Sequence, residues 1–255
     1  MSLQRYDLIL VTGCSHSCGM EMNDHLLPPA DNLQMRQASI LKWGRTNLKI
    51  ESNDLDTIKV LSEREWETRE RQKSWPSMLE QKTGTRVVNL AMVGASFGRS
   101  LLSFSDFLRN RWTKERTAVI HQVPATGRMC LRFDNKHGRV NVVPGSVDNF
   151  GYANDFFKQE IQNVHRQYKK IITSESYINK YNSRLLQRFD KLTSDNQIDQ
   201  YFIINNDFNA HLDKQKIIID DFVAFRKKYD SGKFGHPIGN QFNSDISDLV
   251  IQTLS

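Results

Sequence analysis

The sequence predicts a three-layer α/β/α domain built on a mainly parallel central sheet. Three observations carry that prediction. Apolar runs recur along the chain: YDLILVTG (6–13), TRVVNLAMVG (85–94), ERTAVIHQV (115–123) and DQYFIINND (199–207). The cores of these runs are continuous rather than alternating, the pattern of a strand buried on both faces. Segments with helical spacing separate them, and strands alternating with helices form a parallel sheet covered on both sides.

Each element follows in order. The first run ends at Gly13, and CSHSCGMEM lacks strand alternation, so it reads as the turn into a helix. Residues 28–70 break the rhythm, because Pro28 and Pro29 interrupt the chain and SEREWETRERQKS is dense in charge. This stretch reads as an insertion containing a helix, placed near a substrate entrance or an oligomer contact. SWPSMLEQKTG (74–84) has Pro76 in a first helical turn and Gly84 at the end. After the second strand, Leu101, Leu102, Phe104, Phe107 and Leu108 fall near helical spacing. LRFDNKHGRVNVV (131–143) suggests a hairpin or loop turning around His137 and Gly138. Residues 154–192 form the longest helical region, with Phe156, Phe157, Ile161, Val164, Tyr168, Ile171 and Ile172 at three- and four-residue steps. KIIIDDFVAFRKKY (216–229) fits a strand or a helix, and DISDLVIQTLS fits a closing amphipathic helix. With no repeat, low-complexity tract or linker, residues 1–255 read as one domain.

Composition narrows the function classes. At 38% hydrophobic and 25% charged residues, a 255-residue chain can bury a sizeable core. No run approaches the roughly 18 apolar residues of a membrane span. The start, MSLQRYDLIL, lacks the regions of a secretory signal. A cytoplasmic location is the expectation. Three cysteines, Cys14, Cys18 and Cys130, are too few and odd in number for a disulfide framework. The net charge of +6 is spread along the chain. KSW and RKKY are too short to be a basic stripe with interleaved aromatics, so no nucleic-acid partner is expected.

Ligands of open α/β sheets collect at the carboxyl ends of the strands, and three segments fall there or in loops able to reach them. Ser15, on the turn after the first strand, can present its hydroxyl for attack and its amide to an oxyanion. Read alone, the pattern favours a helix cap over a nucleophile. Gly94, ending the second run, lets its amide approach a substrate closely. His236, in a Gly-His-Pro loop shortly before the last helix, can act as general base to a distant serine. The thiol of Cys14 is the competing nucleophile, but beside an outward Ser15 it is expected to face inward as a small apolar group. Cys14 and Cys18 have no second pair at zinc spacing. No Gly-Lys-[Ser/Thr] follows VTGCSHSCG, so it is not a phosphate-binding loop.

In this order the segments resemble the SGNH/GDSL hydrolase superfamily, serine esterases whose fold is flavodoxin-like. Gly13-Cys14-Ser15 stands where that family carries its nucleophile, with cysteine in place of the usual aspartate. Asn89 through Gly94 is similar to the Asn-x-x-x-x-Gly block whose glycine amide joins the oxyanion hole. His236-Pro237 matches the second half of the Asp-x-x-His-Pro block. Two departures stand out. The family's Gly-x-Asn-Asp block corresponds to HQVPATGR (121–128), which has no asparagine, so the missing donor is expected from Thr126, Gln122 or Arg128. Lys233 occupies the aspartate position. Either Asp230 orients the imidazole from a lengthened loop, or the site works as a Ser–His dyad supported by a backbone carbonyl.

The resemblance implies a carboxylic ester hydrolase, an esterase, lipase or carbohydrate O-deacetylase, that needs no metal or organic cofactor. His16, Gln122 and Arg128 would line its pocket. Their polarity favours a short acyl group on a polar carrier, such as an acetylated glycan. The rival expectation is a catalytically weak fold of the same kind that binds a glycan or a protein partner.

Overall fold

The computed structural model describes residues 3, 5–13, 17, 33–48, 54–92, 95–124, 129–132, 139–142, 175–205, 212–230, 237 and 239–255. Its central sheet has five strands. These are β1 (Leu8–Thr12), β2 (Arg86–Asn89), β3 (Thr117–Gln122), β6 (Asp199–Ile203) and β7 (Ile217–Ile219), in the order β2-β1-β3-β6-β7. Every pairing is parallel. The remaining strands, β4 (Met129–Arg132) and β5 (Arg139–Val142), form a separate antiparallel hairpin, as the sequence predicts for that region. The main helices are α1 (Leu33–Asn47), α2 (Leu55–Gln72), α3 (Trp75–Thr83), α4 (Phe97–Asn110), α5 (Glu175–Asp195), α6 (Phe222–Arg226) and α7 (Asn240–Leu254).

Strand burial explains the order. All residues of LILVT in β1 and TAVIHQ in β3 are buried, so both strands run through the centre of the sheet. Their side chains alternate between two cores. Leu8, Leu10 and Val119 join Phe97, Phe104 and Phe107 of α4 and Phe189 of α5. Ile9, Val11 and Ile120 join Trp75 and Leu79 of α3 and Phe242, Ile246 and Val250 of α7. The result is the expected α/β/α sandwich. On the outer edge of the sheet, the Val87 amide donates to Glu80 Oε1 at 3.2 Å, covering a group that an edge strand leaves open.

Local sequence sets the helix ends. Pro76 sits in the first turn of α3, and Gly84 ends that helix at φ 70°, a left-handed value that costs glycine nothing. In KIIIDDFVAFRKKY both readings hold in part: β7 is followed at once by α6, because Asp221 caps the helix by accepting from the Ala224 amide at 2.9 Å. Among the described residues, no helix is long and apolar enough to cross a membrane.

The stretch read as an insertion holds two helices, α1 and α2, the second running on to Gln72. Arg36 meets Glu70, and Gly44 meets Ser62, so the two run antiparallel. Trp43 and Trp66 pack edge-on at 5.0 Å, and with Ile40 they form a small core separate from the two main ones. The Arg36–Glu70 pair is nearly buried, at 8% and 6% side-chain exposure, and spans 2.5 Å. At Gly44 the helices come so close that an added Cβ would run into the Ser62 side chain. Gly44→Ala is therefore expected to destabilise the protein by about 1–3 kcal/mol, the usual cost of overpacking, in urea denaturation. Unchanged stability would contradict this close helix contact.

Candidate active site at the sheet's switch point

The chain leaves β1 for β2 on one side and reaches β3 on the other. This reversal makes the crevice between the carboxyl ends of β1 and β3 the topological switch point, where ligands bind in open α/β sheets. Thr12 pairs with His121, so Gly13 lies beside Gln122. A Cβ at position 13 would sit 2.9 Å from Gln122 Cβ and 3.2 Å from its carbonyl oxygen. Only glycine fits without displacing β3.

Gly13 and Ser17, the described residues on either side of 14–16, are both anchored. Ser17, in helical backbone conformation and fully buried, donates its hydroxyl to Gln122 Oε1 in a short hydrogen bond. The Ser17 carbonyl accepts from Asn89 Nδ2 at 2.6 Å. Asn89 Oδ1 in turn accepts from the Ala91 amide at 3.1 Å, which holds the Asn89 side chain in one orientation. The Gly13 carbonyl accepts from the Met92 amide at 3.2 Å. Three neighbouring segments thus hold the two ends of residues 14–16.

The loop after β2 is fixed in the same way. The Leu90 amide donates to the Val11 carbonyl at 2.7 Å, so the loop keeps following β1 after the strand ends. The Ala95 amide closes back onto the Met92 carbonyl at 3.1 Å. Ser96 then caps α4, its hydroxyl oxygen accepting from the Arg99 amide at 3.2 Å.

On the opposite face, β3 presents His121. The ring is fully buried, its Nδ1 hydrogen-bonds the Thr12 hydroxyl at 2.8 Å, and among the described residues its Nε2 has no partner. Phe189, Phe202 and Phe104 surround it, with ring centroids 4.1, 5.5 and 5.8 Å away. Burial pushes its pKa down to about 3. It is a neutral core residue, turned away from the crevice.

Of the residues singled out from sequence, Ser15, His16, Gly94, Thr126, Arg128 and His236 lie outside the described residues. Their nearest described neighbours are Gly13 and Ser17, Met92 and Ala95, Pro124 and Met129, and Asp230 and Pro237. Gln122 is 2% exposed and accepts from Ser17, so it holds the described residue that follows 14–16. Asp230 is exposed and follows α6. Pro237 is buried in a β-bridge. Among the described residues, no group of three His, Cys, Asp or Glu side chains is placed to hold a metal ion.

Sequence reading missed Ser17 and the bracing roles of Asn89 and Gln122. A usable signal was present in TAVIHQ: polar residues that end a fully apolar strand need either a buried partner or a site. Compared with known families and curated proteins, the chain matches no family model and no curated sequence.

His121 gives the fold a measurable pH dependence. Unfolded, it binds a proton below about pH 6.5; folded, only near pH 3. Between those values the unfolded state holds the extra proton, so stability is lost as pH falls through this window, by up to about 1.4 kcal/mol per pH unit. Denaturation of wild type and His121→Leu across the window should differ by one proton's slope. Parallel slopes would show that His121 titrates normally.

Proposed function

We propose that the protein is a serine hydrolase that cleaves acyl esters, with Ser15 as nucleophile and His236 as general base. The observation that carries this reading is the anchoring of Gly13 and Ser17, the described residues on either side of Ser15, by groups of β2, its following loop and β3 beside the switch-point crevice. A nucleophile needs such a fixed platform, because attack requires the reacting atoms in near-contact geometry.

The mechanism follows the logic of serine triads. His236 takes the hydroxyl proton of Ser15 as Oγ bonds to the ester carbonyl carbon. The electron pair moved onto the carbonyl oxygen is stabilised by the amides of Ser15 and Gly94. When the intermediate collapses, the C–O bond to the alcohol breaks and His236 returns the proton to the leaving oxygen. Water, deprotonated by the same imidazole, then releases the acid and regenerates Ser15. The substrate is a short acyl group on a polar carrier, with an O-acetylated glycan as the leading example.

Two observations favour a second reading, a weakly catalytic fold that binds a glycan or protein partner. Asp230 is exposed, whereas a triad acid works best buried against its imidazole. Gln122 is buried with its Oε1 engaged by Ser17, and the third oxyanion donor stays open among Thr126, Gln122 and Arg128. Hydrolysis of p-nitrophenyl acetate decides between the two. Ser15→Ala and His236→Ala should each lower kcat/KM by at least about 10³-fold, the scale on which removing a member of a serine triad acts. Equal rates in wild type and Ser15→Ala would leave only the binding reading.

A further inference from the structure

We propose that Arg71, supplied by the inserted helical hairpin, is a positioning residue for the loop leading to Gly94. This rests on the serine-hydrolase reading above. β2 is the edge strand, so the outward carbonyls of the loop that continues it have no strand beside them. Arg71 takes that place. From the last turn of α2, its Nη1 donates to the Asn89 carbonyl at 3.2 Å and its Nη2 to the Ala91 carbonyl at 2.8 Å. On the inner side, the Leu90 and Met92 amides donate to Val11 and Gly13. Residues 89–92 are thus clamped between β1 and one guanidinium.

The clamp is itself well supported. Glu67 Oε1 accepts from Arg71 Nε at 3.2 Å and from Nη2 at 2.8 Å, which sets the plane of the fork. The Arg71 carbonyl accepts from the hydroxyls of Ser74 and Ser77, at 2.6 and 2.9 Å. One residue earlier, the buried Arg36–Glu70 pair locks α2 to α1. A lysine would carry the charge but not the rigid fork that reaches two carbonyls at once. The second inserted helix therefore fixes a strand-end loop beside the candidate site through Arg71.

Oxyanion donors act only within a few tenths of an ångström of their working distance. A shift of about 1 Å can cost about 10²-fold in rate. The test measures p-nitrophenyl acetate hydrolysis and amide hydrogen exchange on the full chain, for wild type, Arg71→Ala, Arg71→Lys, Arg69→Ala and Ser15→Ala. Both Arg71 variants should lose about 10²-fold in kcat with KM within about 2-fold. They should also exchange the Leu90 and Met92 amides faster, while Val119 and Ile120 in β3 stay as protected as in wild type. Arg69, which stacks on Trp43 in the same turn, should affect neither readout when replaced. Unchanged exchange at Leu90 and Met92 overturns the inference whatever Ser15 does. Faster exchange with unchanged kcat, alongside an inactive Ser15→Ala, overturns it as well. A Ser15→Ala protein as active as wild type overturns the serine reading, and with it the catalytic part of this inference.

Discussion

Between the carboxyl ends of β1 and β3 there is no room for a side chain at position 13. Gln122 Cβ and its carbonyl oxygen fill the space that any Cβ would need. Because position 13 is glycine, β1 can end against Gln122, which also accepts the hydroxyl of Ser17. The same approach leaves the Gly13 carbonyl beside the β2 loop, where Met92 donates to it. The seating of Ser17 on Gln122 and the path of the described β2 loop residues both meet at this one contact. It lies at the point where the strand order reverses, so the geometry of the fold and that of the candidate site have a common origin.

Burial divides the work around this contact. The helical faces of α4 and α5 on one side, and α3 and α7 on the other, remove both surfaces of the central strands from water. Polar groups are admitted at the carboxyl ends in pairs: Thr12 with His121, Ser17 with Gln122. A buried polar group that finds its partner costs little, whereas an orphan costs on the order of 1–3 kcal/mol. The two pairs face opposite sides of the sheet, so the one beside the crevice can serve the site and the other belongs to the core.

Much of the fold was legible because fully buried parallel strands leave a strong local trace. LILVT and TAVIHQ are read directly, and the strand–helix alternation settles the layers. The predicted runs are longer than the strands for a physical reason. TRVVNLAMVG continues past β2 because Leu90 still bonds to β1 after the ladder stops. The 28–70 stretch was readable as an interruption containing a helix, but not as a pair of packed helices. Arg36 and Glu70 lie 34 residues apart, and Arg71 meets Asn89 and Ala91 across separations of 18 and 20, contacts that no local pattern announces. At the site, residue types and order pointed to Ser15, Gly94 and His236. The bracing by Ser17, Asn89 and Gln122 depends on strand register, which the sequence leaves open until the sheet order is known.

The central claim of the proposed function is that Ser15, between the anchored residues Gly13 and Ser17, is an activated serine. The most direct measurement is labelling of the native protein with a fluorophosphonate, followed by peptide mass mapping. The account predicts a single adduct on Ser15, absent when the protein is denatured before labelling. No adduct, or one on Cys14 or another residue, would contradict it.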